Sequence, residues 1–183
     1  MLAEEQKKRV LNLARESIET YLENKKPVFH EKFLSEKQGV FVTIKIADQL
    51  RGCIGFPEPV YALGKAIIEA ARASAFSDPR FPPLGKSELK DARIEVSVLT
   101  KPKEIRADEP EDYVKKIKVG EDGLIVRGRG RDGLLLPQVA AELGWDAKEF
   151  LQQTCIKAGL PADAWKDPDT KIFKFQADIL SEE

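Results

Sequence analysis

The stretch Val40-Phe41-Val42-Thr43-Ile44-Lys45-Ile46-Ala47-Asp48-Gln49-Leu50-Arg51-Gly52-Cys53-Ile54-Gly55 decides the reading of the fold. Val40, Val42, Ile44 and Ile46 alternate with Phe41, Thr43 and Lys45, a period of two that predicts a strand with one buried face. Ala47-Asp48-Gln49 predicts a turn. Residues 50–55 then form the return strand of a hairpin, ended by Pro57 and Pro59. Alternate side chains of a strand share a face, so the spacing puts Arg51, Cys53 and Gly55 on one side and Gly52 and Ile54 on the other.

Upstream, Leu11, Ala14, Ile18 and Leu22 recur near the helical period. They predict a core-covering helix over Glu4–Leu22, stopped by Asn24-Lys25-Lys26-Pro27. Downstream, Leu63, Ala66, Ile67, Ala70 and Ser74 predict a second helix, whose small residues suit close packing on a sheet. Ser77-Asp78-Pro79-Arg80-Phe81-Pro82-Pro83-Leu84 is a loop, stiffened by three prolines that also remove three backbone donors. Ile94, Val96 and Val98 predict a third strand, closed by Lys101-Pro102, and 109–118 a short helix. Residues 123–127 and 134–136 are apolar strands around a hairpin turn at 128–133.

Asp146, with Glu149 three residues later, has the form of a capping box. It opens a helix with Phe150, Leu151, Cys155 and Ile156 on its apolar face, closed at Gly159 with Pro161 beyond. Phe173, Phe175, Ala177 and Ile179 alternate in one last strand. Strands joined by hairpins, with helices between them, predict an α+β fold with a mixed or antiparallel sheet and packed helices. Strict βαβ repetition is absent, which argues against a Rossmann-type arrangement.

The 183 residues fit one domain or two small subdomains, and 42% apolar with 33% charged residues is a globular composition. The net charge of −1 supplies no global field for a polyanion, so a nucleic-acid binder needs a local patch. Two cysteines, Cys53 and Cys155, make no disulfide framework, and with one histidine, His30, no structural zinc set of Cys and His is complete. Few cysteines, and an acidic start at Met1-Leu2-Ala3-Glu4-Glu5 without an apolar signal region, predict a cytoplasmic protein. No stretch approaches the ~20 apolar residues of a membrane helix. Abundant Lys and Glu, with scarce Asn, Met, His and Cys, is the balance found in hyperthermophile proteins. No dinucleotide fingerprint, P-loop or metal motif is present, so no cofactor is expected.

Four groups of residues carry candidate chemistry. Glycines on either side of Cys53 leave room for another backbone or for a ligand. Arg51, on the same face by spacing, is placed to stabilise a thiolate. The alternative is a small, buried, inert cysteine in a crowded strand. A Cys–His pair would have to use His30, in the loop Pro27-Val28-Phe29-His30-Glu31. Asp78 and Arg80 offer an acid and a base on a stiff loop, or else an internal ion pair or Asx-turn that shapes it. Arg127, Arg129 and Arg131 alternate with glycines, either as a phosphate contact or as a solvated hairpin tip, with no aromatic residues interleaved for stacking on bases. Trp145 and Trp165 are expected as core or rim residues.

Several stretches together resemble the AMMECR-domain family, whose archaeal and bacterial members include protein A of the AmmeMemoRadiSam system. They are Leu50-Arg51-Gly52-Cys53-Ile54-Gly55, then Ala75-Phe76-Ser77-Asp78-Pro79-Arg80-Phe81-Pro82-Pro83-Leu84, then Glu95-Val96-Ser97-Val98-Leu99. Gly133-Leu134-Leu135-Leu136-Pro137-Gln138-Val139 and Cys155-Ile156-Lys157-Ala158-Gly159-Leu160-Pro161 follow in the family's order. The lack of long extensions resembles the free-standing archaeal type. The resemblance implies a single AMMECR-type domain with an α+β fold of two subdomains and a cleft between them, near the signature. Arg51, Gly52, Cys53 and Gly55 carry over as the signature, with Asp78 and Arg80 as neighbours. The resemblance does not supply a reaction.

Two functions follow from these residues and this resemblance. In one, the cleft is enzyme-like and takes a small molecule or peptide, with Cys53 as nucleophile or thiol ligand, Arg51 as its electrostatic partner, and Gly52, Gly55, Asp78 and Arg80 around it. In the other, the chain is a regulatory module without catalysis that grips protein or nucleic acid. Memo-like and radical-enzyme partners are implied by the family's gene context alone.

Overall fold

The computed structural model describes residues 2–25, 27 and 29–182. Lys26 of the helix stop, Val28 of the His30 loop, Met1 and Glu183 lie outside the described residues. The chain divides into two compact units, one of Met1–Leu99 with Asp178–Glu183 and one of Thr100–Ala177.

In the first unit, α1 (Glu4–Leu22) and α2 (Leu63–Phe76) cover a four-stranded sheet of order β2-β1-β3-β8. Its strands are β1 (Gly39–Ile46), β2 (Gln49–Phe56), β3 (Ala92–Leu99) and β8 (Ala177–Ser181). The alternation in β1 is realised: Val40, Val42 and Ile44 are fully buried, opposite Val98, Val96 and Ile94 of β3. The helix face that meets this core runs through Val10, Leu13, Ala14 and Ile18, whereas Leu11 is only partly buried. Ala66, Ile67, Ala70 and Ala71 of α2 complete the layer. The three alanines bring that helix close to the sheet.

The β1–β2 turn needs only Ala47 and Asp48, both at positive φ (49° and 61°). Two such residues form the hairpin turn that matches strand twist. The pairing then slips. Ile46 faces Gln49 and Lys45 faces Leu50, but Ile44 faces Gly52, which leaves Arg51 as an extra residue without a partner across the hairpin. This β-bulge shifts the register by one residue, while Gly52 and Ile54, opposite Ile44 and Val42, and Cys53 and Gly55, opposite Thr43 and Phe41, keep the alternation counted from the sequence.

In the second unit, β4 (Lys103–Glu104), β5 (Gly123–Gly128), β6 (Arg131–Leu135) and β7 (Lys171–Phe175) form a sheet of order β4-β7-β5-β6, with every pair antiparallel. Its core gathers Leu124, Val126 and Ile172 from the sheet with Phe150, Leu151 and Cys155 from α5 (Ala147–Lys157), closed by Trp165. The capping box forms as its spacing predicts: Glu149 N–H donates to Asp146 Oδ1 at 2.8 Å, and Asp146 N–H to Glu149 Oε2 at 3.0 Å. A cap of this kind stabilises a helix by about 1 kcal/mol. Gly159, at φ +70°, ends the helix. Ile156, expected on the apolar face, is instead 50% exposed. It follows Cys155 directly, and so sits about 100° around the helix from it.

Three further expectations are corrected. The single last strand is two: β7 lies in the second sheet and β8 in the first, separated at Gln176, whose N–H and C=O are both taken by Thr100. The 128–133 turn contracts to Arg129 and Gly130, at φ 53° and 71°, so β6 already begins at Arg131 and ends at Leu135. Leu136 instead caps the short helix α4 (Pro137–Glu142), where proline at the first position lacks only a donor that would have gone unused. The helix expected at 109–118 is α3 (Pro110–Lys116). Among the described residues no helix is long and apolar enough to cross a membrane.

Candidate functional site

Gly52 lies on the sheet face that meets α2, and a Cβ there would come within 2.1 Å of the Ser74 carbonyl oxygen. Ser74 itself is buried; its hydroxyl accepts from Ile54 N–H at 2.8 Å and donates to Val42 C=O at 2.7 Å. Gly55 is likewise enclosed, with the Val40 carbonyl and the Phe41 ring in the space a side chain would need. The room beside both glycines is therefore filled by the protein's own atoms. Both glycines serve close packing of the hairpin.

Because of the bulge, Cys53 pairs with Thr43 on the face away from α2, and the Thr43 hydroxyl donates to Cys53 Sγ at 3.3 Å. Cys53 is partly exposed and unbridged. β2 ends the sheet, and the backbone of Cys53 is satisfied by side chains of the loop after α2. Its N–H donates to Asp78 Oδ2 at 2.9 Å, and its C=O accepts from Arg80 Nη2 at 3.1 Å. Asp78 and Arg80 thus stand in for the residue of a neighbouring strand.

They are also paired with each other, Nη2 to Oδ2 at 2.7 Å and Nε to Oδ1 at 2.9 Å, and Arg80 N–H donates to Asp78 Oδ1 at 3.1 Å. This is the ion pair and Asx-turn expected of a shaped loop, and it holds the signature strand as well. The Asp78 side chain is 1% exposed, that of Arg80 52%. The Arg80 guanidinium, opposed by burial and assisted by the N–H groups of Cys53 and Arg80, holds the Asp78 carboxyl well below the usual carboxylate range. The Arg80 guanidinium is shifted upward, by Asp78 first and by the electrostatic field of Cys53 last.

Arg51 makes its ion pair with Glu88. Set off by the bulge, its Nε and Nη2 bond Glu88 at 3.0 and 3.2 Å, on a 3₁₀ turn at Glu88–Lys90. That pairing, with the Gly85 N–H, draws the Glu88 carboxyl downward. Nη1 of Arg51 is buried and has no hydrogen-bond partner among the described residues. The Phe81 ring links the two arginines, lying 5.9 Å from the Arg51 guanidinium carbon and 5.5 Å from that of Arg80. Both distances are within cation–π range. Thr43, Ser74, Phe81 and Glu88 were not singled out from the sequence. Thr43 is the instructive case, since a regular hairpin around Ala47-Asp48 would set Cys53 against Val42.

No hydrogen bond joins His30 to Cys53 among the described residues; His30 N–H bonds the Glu31 side chain. Cys155 is fully buried, and burial pushes its thiol up to about 11. No group of His, Cys, Asp and Glu with metal-binding geometry occurs among the described residues.

In the second unit, each of the three alternating arginines is engaged within the protein. Arg127 lies 4.8 Å over the Phe173 ring and 3.7 Å from Asp132, Arg129 pairs with Asp167 at 3.1 Å, and Arg131 donates to the Gly159 carbonyl. The tip glycine, Gly130, has open space around it. These contacts fit a hairpin tip anchored to its own unit.

The AMMECR1 family model matches residues 11–180 of this chain. A protein of Methanopyrus kandleri is 51% identical over 180 residues, covering 95% of this chain and 87% of its own length. One from Methanothermobacter thermautotrophicus is 48% identical over 186 residues, covering 100% and 97%. The crystal structure of the uncharacterized protein PH0010 from Pyrococcus horikoshii is similar at a TM-score of 0.92 and 50% identity, over 100% of this chain and 94% of that one. The matched span contains the signature strand, the loop that clamps it and all but the last residue of the two sheets, and the chain belongs to the AMMECR1 family.

Proposed function

We propose that the outer face of β2 is a binding site for a small molecule or short peptide, with Cys53 as the thiol that meets the ligand. What carries this reading is the way Cys53 is held: both its backbone groups are clamped by the Asp78–Arg80 pair, while Thr43 donates to a partly exposed sulfur. Arg51 and Arg80 are the groups we assign to an anionic part of the ligand. Arg51 keeps a donor without a partner among the described residues, and Arg80 has half its side chain in solvent. A reducing cytoplasm is the compartment we propose, in keeping with two unbridged cysteines.

The test is iodoacetamide labelling of the folded protein, with the modified peptides located by mass spectrometry. Rapid labelling of Cys53 with Cys155 untouched is the expected outcome. A Cys53 that labels no faster than Cys155 until the chain is unfolded would sink the proposal. One observation favours the second reading, a non-catalytic module: the space beside Gly52 and Gly55 is taken by the protein's own atoms. The unreactive outcome would transfer the signature to that reading.

A further inference from the structure

The second unit carries a basic groove that neither the signature nor the arginine hairpin uses. Two adjoining cavities, of about 320 and 600 Å³, share Lys103, Lys118 and Lys174. Lys101 lines the first, and Arg106, Lys115 and Lys116 line the second. Against these seven cations the same walls hold two acids, Glu104 and Asp122. Asp122 is buried and already committed, accepting from Lys118 N–H at 3.0 Å and from Lys174 Nζ at 3.0 Å.

Several of the cations are held in place. Lys174 Nζ also donates to the Lys116 carbonyl, and Lys116 Nζ to the Arg106 carbonyl, each at 2.8 Å. Lys101 and Lys103 make no ion pair among the described residues, and Lys115 and Lys118 pair only with the partly exposed Asp112 and the exposed Glu121. Surface pairs of that kind are weak and exchange readily for another anion. The chain as a whole carries −1, so this is a local segregation of charge, and like charges brought together repel until an anion joins them.

We propose that this groove binds the phosphate backbone of a single-stranded nucleic acid. Three features select that partner. The cations run through two joined cavities, which suits a string of phosphates better than one phosphate group. The two cavities are open to solvent along the shared lysines, so an extended strand can lie across both. The cations are mainly lysines, point charges that attract phosphate without reading bases. The aromatic residue in the wall, Phe175, is 2% exposed, so no ring is offered for stacking and binding is independent of sequence. The phosphate contact is therefore assigned to the lysine groove rather than to Arg127, Arg129 and Arg131.

The experiment is fluorescence anisotropy of a labelled 15-nucleotide single-stranded oligonucleotide with the full chain, at several salt concentrations. Binding is expected to weaken with salt, log K falling with log salt by roughly 0.7 for each phosphate neutralised. Lys103→Glu with Lys118→Glu is expected to weaken binding at least tenfold and flatten that slope. Arg129→Ala with Arg131→Ala is expected to leave both unchanged. Lys103→Gln with Lys118→Gln, a milder pair at exposed positions, is expected to lie between. Absence of binding at low salt overturns the proposal. So does equal loss in the arginine variant, or affinity confined to inorganic phosphate or to vesicles containing anionic lipid.

Discussion

Gly52 and Ser74 are packed so closely that the Cα hydrogen of one faces the carbonyl oxygen of the other, with no space for a methyl group between β2 and α2. The same serine bonds the backbones of both hairpin strands. Gly52→Ala must therefore move α2 off the sheet or open the hairpin. The expected cost is about 2–3 kcal/mol, the upper range for overpacking, measured by urea unfolding. Gly85→Ala is the control, since its added Cβ would meet nothing nearer than the Glu88 carboxylate at 3.4 Å. Equal stability of the two variants would contradict the packing described.

The clamp on Cys53 has a pH dependence whose sign is fixed by the Asp78 shift. Its folded pKa is depressed, chiefly by Arg80. Its stabilisation is thus fully present above the unfolded value near ~3.9 and is lost as pH falls from there toward the folded value. Wild type is expected to exceed Asp78→Asn in stability at pH 7, and the gap to narrow below about pH 4. A gap that stays constant from pH 7 to pH 3 would mean that the carboxylate charge plays no part. Asp78→Ala adds an unpaired Cys53 N–H, with an expected cost of about 1–3 kcal/mol.

Arg80 and Arg51 are expected to differ in their effect on Cys53. Arg80 bonds the Cys53 carbonyl, whereas Arg51 is turned to Glu88. Arg80→Ala is expected to change the rate of Cys53 alkylation at pH 7, through release of the Cys53 carbonyl from its clamp, and Arg51→Ala to change it less. The reverse order, read from labelling time courses, would restore Arg51 as the partner of the thiol.

The turn at Ala47-Asp48 holds two non-glycine residues at positive φ, a conformation that costs L-residues roughly 1–2 kcal/mol each. Replacing the pair with Asn-Gly, the preferred sequence for such turns, is expected to stabilise the protein by about 1 kcal/mol, visible as a rise in Tm. A fall in Tm would show that these side chains make contacts worth more than the relief of strain.

Much of the architecture was legible because it rests on local periodicity. The alternation in β1, the span of α1, the small-residue face of α2 and the Asp146–Glu149 capping box each depend on neighbours within a few positions. Period two cannot say which sheet a strand joins, which is why 173–179 read as one strand and is two. The 137–142 helix was hidden by its brevity, and Ile156 by a count that ran one position too far.

The sequence by itself determined the hairpin, the stiff loop of Asp78 and Arg80, and the family resemblance, since residue types and spacing are enough for these. Tertiary structure alone decided what faces Cys53. The bulge at Arg51 shifts the register by one residue, and a one-residue shift exchanges the two faces of a strand. It sets the thiol opposite Thr43 instead of Val42 and turns Arg51 to Glu88. It leaves the backbone of Cys53 to be met by two side chains 25 and 27 residues further along the chain.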